Sequence, residues 1–358
     1  MIKHKLIFYF ALIFSTFCCT RMQAELKYKI QDLGTLQSDC SRTAAINEAG
    51  QVAGYYTWKG EQYVFFWDGN EGLMTLDVPI EHSFEILHFH ANTNMIWGIT
   101  RNAKSKQAIG MSRWEPSGGY LLYPPRFKAG DKLKEILNVT KSHCIIGISQ
   151  KLSGQEFYFR SSGDEAQNLP LLYGDLGLPS RISQIVGSDQ NIVVANCLYP
   201  LVNKGEVVKQ VERSFFWKCD QGWKVNKLSN SSYHSITALC MNNNRQVICE
   251  TNEGWLLIDL KNGTEQDIRK FDSVRSFNNK GYFITNQMNL VETVVENGML
   301  GKIHLNFGNP DVIVNMSDGD WKKICAVNGI NDAGHVIGEA ETKFGEVHAI
   351  LLLPVYTN

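Results

Sequence analysis

Ser41–Trp67 reads SRTAAINEAGQVAGYYTWKGEQYVFFW, and Ala326–Leu352 reads AVNGINDAGHVIGEAETKFGEVHAILL. Both carry Ile-Asn-(Glu/Asp)-Ala-Gly, one further residue (Gln51, His335), and an apolar pair closed by glycine, Val52-Ala53-Gly54 and Val336-Ile337-Gly338. Both then cross a polar, glycine-containing loop into a second apolar run. Asn and Asp tolerate left-handed backbone and Gly adopts it freely, so the shared pentapeptide is turn chemistry. The flanking runs are short and rich in Val, Ile and aromatics, as strands are. The unit is a β-hairpin, and it is a repeat.

Weaker copies lie between these two. An apolar pair after a polar turn recurs at His90–Gly98, Leu137–Gly147, Ile185–Ala195, Met241–Cys249 and Phe277–Thr285. The residues closing each pair, 54, 98, 147, 195, 249, 285 and 338, are spaced by 36 to 54 residues. A drifting period in that range belongs to four-stranded, blade-like units. A second apolar run follows each: Tyr63–Trp67, Ile109–Trp114, Phe157–Phe159, Ser214–Trp217, Trp255–Ile258, Lys302–Leu305 and Ala349–Leu352. In six units one more short strand is expected, as at Leu73–Leu76 after Asp68-Gly69-Asn70. No window has helical periodicity.

The seventh unit stops short, since Pro354 follows its apolar run and the sequence ends at Asn358. A spare strand, Tyr28–Leu33, precedes the first unit. Pairing that strand antiparallel with Ala349–Leu353 removes an exposed sheet edge and buries Tyr28 and Ile30. The expectation is an all-β fold: a β-propeller of seven blades, residues 25–358, whose last blade is closed by the N-terminal strand.

Residues 1–24 read as a signal peptide. Lys3, His4 and Lys5 form a basic start, and Leu6–Phe17 is an uncharged run too short to span a bilayer. Cleavage after Ala24 leaves Glu25 first. Acylation of Cys18 or Cys19 is the competing reading, but Phe17 and Cys18 stand where a lipoprotein signal needs small residues. The expected location is secreted, periplasmic or cell-surface, with no transmembrane span, and the expected state is a monomer.

The quoted residues resemble the HAF-repeat family of predicted extracellular proteins, named for a His-Ala-Phe tripeptide opening the second run. Asp32-Leu33-Gly34-Thr35-Leu36 matches the start of its unit, and Ile46–Gly54 and Ile330–Gly338 match its core. The tripeptide stands here as Tyr63-Val64-Phe65 and His348-Ala349-Ile350. The resemblance covers 28–77 and 326–354. It implies export and repeated hairpins, and it brings no catalytic residues.

The chain has 35 basic and 36 acidic residues in 358, with no block of like charge. That distribution makes no electrostatic case for nucleic acid or for an anionic membrane surface. Seven cysteines follow the leader: Cys40, Cys144, Cys197, Cys219, Cys240, Cys249 and Cys325. Their number is odd, no metal spacing occurs, and several sit in apolar runs, so they read as small buried hydrophobes, with one bridged pair still open. No nucleophile elbow, P-loop, His-Glu-x-x-His or EF-hand loop occurs, nor a recurring Ser-x-Asp-x-Gly-x-x-Trp box. Asp68 after Trp67 reads as a turn residue rather than a Trp-Asp propeller mark.

Three features bear on a site. His88-Phe89-His90 places two imidazoles on one strand face, half of a metal site at best, and reads first as a packed or surface pair. Asp318-Gly319-Asp320 reads as a plain turn. Trp97, Trp114, Trp217, Trp223, Trp255 and Trp321 fall in or beside strands and read as packing, whereas Trp58 stands in a loop. No catalytic, cofactor-binding or metal residue is assigned, and no cofactor is expected. The expected function is a non-catalytic exported binding module for a protein or glycan ligand, at one ring face or the axial channel. The alternatives are a secreted carbohydrate-active enzyme with two channel carboxylates, and a structural envelope protein. Facing channel carboxylates roughly 5–9 Å apart favour the enzyme; a lining of Asn, Ser and apolar groups favours the binder.

Overall fold

The two Ile-Asn-(Glu/Asp)-Ala-Gly segments fold as matching turns. Gly50 and Gly334 hold φ of +82° and +83°, the left-handed region that only glycine enters without strain. The N–H groups of Gly50 and Gly334 donate to Asn47 O and Asn331 O, each at 3.1 Å. The computed structural model describes residues 26–356 except 37, 39, 91–92, 117, 129, 141–143, 162–164, 171–179, 190, 204–205, 220–222, 230–234, 269–273, 286–288, 297–298 and 307–319. The leader therefore lies outside the described residues.

Twenty-eight strands are described, and they pair in antiparallel groups of four. β1 (Leu26–Gly34) stands apart at the start. The first group is β2 (Cys40–Ile46), β3 (Val52–Trp58), β4 (Glu61–Asp68) and β5 (Gly72–Thr75). The second is β6 (His82–Phe89), β7 (Ile96–Asn102), β8 (Ala108–Glu115) and β9 (Gly119–Tyr123). The third is β10 (Lys132–Val139), β11 (Ile145–Gln150), β12 (Glu156–Ser161) and β13 (Gln167–Asn168). The fourth is β14 (Arg181–Ser188), β15 (Ile192–Asn203), β16 (Glu206–Cys219) and β17 (Trp223–Lys227). The fifth is β18 (Ile236–Met241), β19 (Gln246–Thr251), β20 (Trp255–Asp259) and β21 (Thr264–Ile268). The sixth is β22 (Val274–Phe277), β23 (Tyr282–Thr285), β24 (Asn289–Glu296) and β25 (Met299–Asn306). The last is β26 (Trp321–Ile330), β27 (Val336–Thr342) and β28 (Val347–Tyr356), with β1 as its fourth member.

β1 runs antiparallel to β28, with Tyr28 opposite Pro354 and Ile30 opposite Leu352. Tyr28 and Ile30 are buried beside Ile324, Ile350 and Ile284. Leu33, on the other face of β1, packs with Ile337, Leu351 and Val52. The N-terminal strand thus completes the last group and wedges it against its neighbours on both sides.

The core is spread between sheets rather than gathered in one place. Each apolar cluster joins one group to the next, as Phe66 and Ala53 of the first meet Ile86, Ile96 and Trp114 of the second. The cycle closes where Val52, Phe65 and Trp67 meet Ile337 and Ala349. Sheets buried on both faces need apolar side chains on both, so their second strands read as unbroken runs such as Val-Ala-Gly and Val-Ile-Gly. The groups neighbour one another in cyclic order through their first strands, β26 next to β2 included, while β10 meets the second group at β7 and β8. This is an all-β propeller.

Every first strand carries a β-bulge near the same place. The pairing register shifts at Ala44, Leu87, Leu137, Val186, Leu239, Arg275 and Asn328. Opposite four of these bulges the second strand has glycine. A Cβ at Gly54, Gly98, Gly147 or Gly338 would stand 2.0–2.3 Å from the carbonyl oxygen of Arg42, Glu85, Glu135 or Ala326. That approach tolerates no side chain.

One expected strand assignment is wrong. Lys302–Leu305 was to be the third strand of the sixth unit, but β24 pairs β23 and residues 302–305 lie in β25, the fourth. Leu290–Val295 is rich in valine but carries the polar Glu292 and Thr293, and the purely apolar template passes over it. The described cysteines are all free, and Cys144, Cys197, Cys240 and Cys249 are buried. Burial pushes the Cys197 thiol up to about 12, which suppresses thiolate chemistry there.

Candidate functional site

The turns after the seven first strands meet at one end of the ring. Each opens with a residue whose backbone N–H closes the turn: Asn47, His90, Thr140, Asp189, Asn242, Asn278 and Asn331. In four of them the residue is a buried asparagine. Its side-chain oxygen accepts the N–H four residues on, of Gln51, Gln246, Tyr282 or His335, at 2.9–3.0 Å. Its amide nitrogen then donates to the next turn. Asn242 Nδ2 reaches Asn278 O at 3.1 Å, Asn278 Nδ2 reaches Asn331 O at 2.8 Å, and Asn331 Nδ2 reaches Asn47 O at 2.9 Å. A second rung runs beside the first. The N–H groups of Asn244, Asn279 and Asp332 donate to side-chain oxygens of Asn279, Asp332 and Glu48 at 3.2, 2.7 and 2.8 Å. One side chain thus caps its own turn and bonds the next. Asp189 does the same through a carboxylate, capping its own turn and taking Arg245 Nε of the next. Thr140 Oγ1 accepts Cys144 N–H at 3.0 Å, and Asp189 Oδ1 accepts Ile192 N–H at 2.9 Å.

Inside this collar the bulged first strands surround an axial channel. One cavity of about 230 Å³ is lined by Leu87, His88, Asn138, Thr140, Gly187, Ser188 and Asn243 among others. A second of about 460 Å³ is lined by Ala45, Asn47, Leu87, His88, His90, Ser276, Asn328 and Asn331 among others. Leu87, His88 and Asn243 belong to both. Among the described residues the lining is amide, hydroxyl, imidazole and apolar, with two carboxylates. Asp189 takes Arg245 Nε at 2.5 Å besides capping its turn, and Glu48 takes the Asp332 N–H. Both are committed to holding turns rather than open for proton transfer.

The histidine pair lies here. His88 is buried at the channel and His90 begins the following turn. Among the described residues no group of three or more His, Cys, Asp or Glu side chains is placed to hold a metal ion. Asp68 is a turn residue: its carboxylate accepts Asn70 N–H at 2.7 Å and Gln51 Nε2 at 2.9 Å, which holds its pKa below the usual range, the Asn70 bond first. His335, half-buried beside Gly50, has its pKa lowered by desolvation. Asp318 and Gly319 lie outside the described residues, and Asp320 pairs with Lys343 Nζ at 3.4 Å. Trp97, Trp114, Trp217, Trp255 and Trp321 are buried between groups, and Trp223 is half-buried. Trp58 ends strand β3, paired with Glu61, rather than standing in the expected loop, and it is exposed, with Lys59 Nζ 4.3 Å from its ring centre.

The asparagine collar and the bulged lining escaped sequence reasoning. The collar has a signal in the sequence, the Asn opening four of seven turns, but a turn asparagine reads as local chemistry until its neighbour in the ring is known.

No protein-family model matches the chain, and no curated protein sequence matches it. Among solved structures it is similar to the β-propeller domain of the Trilobed protease from Pyrococcus furiosus, described as having an open velcro topology. The identity is 10% over 89% of this chain and 99% of that one, with a TM-score of 0.51. It is also similar to a puromycin-hydrolyzing peptidase from Mycobacterium tuberculosis, at 8% identity over 91% of this chain and 54% of that one, with a TM-score of 0.48. A gluconolactonase from Xanthomonas campestris matches at 11% identity over 92% and 90%, with a TM-score of 0.38. At these identities the likeness is one of fold and bears on no activity.

Proposed function

We propose that this chain is an exported binding propeller of the HAF-repeat type, each four-stranded group being one of seven blades, with its ligand held at the collared mouth of the axial channel. The observation that carries this reading is the channel lining. Convergent amide, hydroxyl and imidazole groups over apolar walls are the chemistry of recognition, and the two lining carboxylates are spent on Arg245 and on turn N–H groups. Acid–base catalysis of glycoside cleavage needs two carboxylates facing the substrate, which the described lining residues do not offer. The ligand class is a neutral glycan or a peptide segment with hydrogen-bonding edges.

The test is equilibrium binding of the purified protein to glycan and peptide arrays, repeated with the channel blocked by Asn138→Trp. Loss of binding in a variant that keeps its melting temperature supports the channel site. Undiminished binding by the blocked variant overturns it, and cleavage of a captured glycan would return the enzyme reading.

A further inference from the structure

The opposite end of the ring has a different chemistry. Strands alternate in direction, so the hairpins joining second and third strands all lie away from the asparagine collar. Four of these tips read Trp58-Lys59-Gly60, Lys104-Ser105-Lys106, Lys151-Leu152-Ser153 and Lys343-Phe344-Gly345. The connection from β5 to β6 brings Ile80 to the same end. Exposure there is 43% for Trp58, 95% for Ile80, 80% for Leu152 and 78% for Phe344. Four large apolar side chains project into solvent from one end of one ring.

Cations accompany them. Across the first three groups, exposed Lys59, Lys104, Lys106, Lys128, Lys132, Lys134 and Lys151 outnumber Glu61, Asp77, Glu81, Glu156 and the half-buried Asp131, with Lys134 paired to Glu156. Lys59 and Lys106 hold φ of +52° and +58°, a left-handed conformation that strains a non-glycine residue. Lysine stands there although glycine or asparagine fits the turn better. These lysines are scattered singly along the sequence among acids, so no charge block marks them. The hairpin geometry gathers them.

We propose that this end of the ring is a peripheral membrane-docking face for an anionic lipid bilayer. Trp58, Ile80, Leu152 and Phe344 enter the interfacial layer, and the flanking lysines meet lipid phosphates. Apolar side chains with a basic surround are what anionic interfaces bind. A protein partner needs one continuous, shape-matched patch, whereas these side chains stand on separate turns around a rim, an arrangement a fluid interface accepts. The face is remote from the channel mouth and independent of the function proposed there.

Vesicle co-sedimentation tests this, using protein that begins at Glu25, which keeps every described strand. Phosphatidylcholine vesicles with and without phosphatidylglycerol serve as the probe. Binding is expected to require phosphatidylglycerol, to weaken with salt, and to fall about fivefold for each of Lys59, Lys104 and Lys151 changed to Gln. The triple variant Trp58→Ser, Leu152→Ser, Phe344→Ser should lose vesicle binding and keep its melting temperature, since all three side chains are exposed. No sedimentation of folded parent protein would overturn the proposal, as would undiminished binding by the triple variant. Retention on an immobilised acidic peptide without vesicle binding would overturn it in favour of an acidic protein partner.

Discussion

Replacing Asn331 by alanine tests the collar at the point where the chain's two ends meet. Asn331 is 3% exposed. Its side-chain oxygen accepts His335 N–H and its amide nitrogen donates to Asn47 O, both at 2.9 Å. Alanine removes both bonds; His335 N–H loses its acceptor, while Asn47 O keeps the Gly50 N–H. An unsatisfied buried group costs about 1–3 kcal/mol and a lost hydrogen bond whose acceptor stays paired about 0.5–1.5 kcal/mol. Because the collar borders a channel that admits water, the lower half of each range applies, and the expected loss is about 1.5–3 kcal/mol. Asn331→Thr separates the two parts. Threonine already caps the equivalent turn at Thr140, so this variant keeps the local bond, gives up the one between groups, and should lose about half as much. Urea unfolding followed by tryptophan fluorescence reads both, with the slope checked for constancy before midpoints are compared. An alanine variant within about 0.5 kcal/mol of the parent, the range of ordinary surface changes, would show that the asparagine ladder does not hold the ring.

Deleting Glu25–Leu33 strips the fourth strand from the last group and should lower the melting temperature sharply or cause aggregation, whereas deleting Tyr356–Asn358 should do far less; equal effects would refute the clasp. Gly50→Ala and Gly334→Ala both meet positive φ, but a Cβ at Gly50 also comes 2.9 Å from His335 Nδ1 while one at Gly334 finds only Pro354 at 3.8 Å, so thermal melts should rank Gly50→Ala the worse. Asp68 and His335 both have folded pKa values below their ordinary ones, so the unfolded chain binds more protons and stability should be lost as the pH is lowered. His335 acts first, below about 6.5, and His335→Gln should flatten that part of a stability–pH profile. N-terminal sequencing of exported protein should begin at Glu25 or a neighbour; a chain beginning at acylated Cys18 or Cys19 would replace the signal-peptide reading with a lipoprotein one.

The repeated Ile-Asn-(Glu/Asp)-Ala-Gly turns, the short Val/Ile-rich strands and the spare strand at Tyr28–Leu33 were legible without coordinates, and so was the closure they imply. Each is a local pattern or an edge that must be covered. The strand order in the sixth unit was not legible, because Glu292 and Thr293 interrupt the apolar run that marks the third strand elsewhere, while the backbone pairing with β23 does not require such a run.

What the sequence alone determined is the list of hairpins, since turn residues and apolar alternation act over a few neighbours. What only the tertiary structure decided is which surfaces those hairpins share. The β-bulges in the first strands turn Leu87, Val186 and Asn328 into channel walls. Asn47, Asn242, Asn278 and Asn331 are turn caps in the sequence and a collar only in the ring. Lys59, Lys104 and Lys151 are isolated charges in the sequence and stand at one end of the ring in the fold. Pattern is read along the chain, but hydrogen bonds and Coulomb fields act through space, and residues 36 to 284 positions apart become neighbours only when the ring closes.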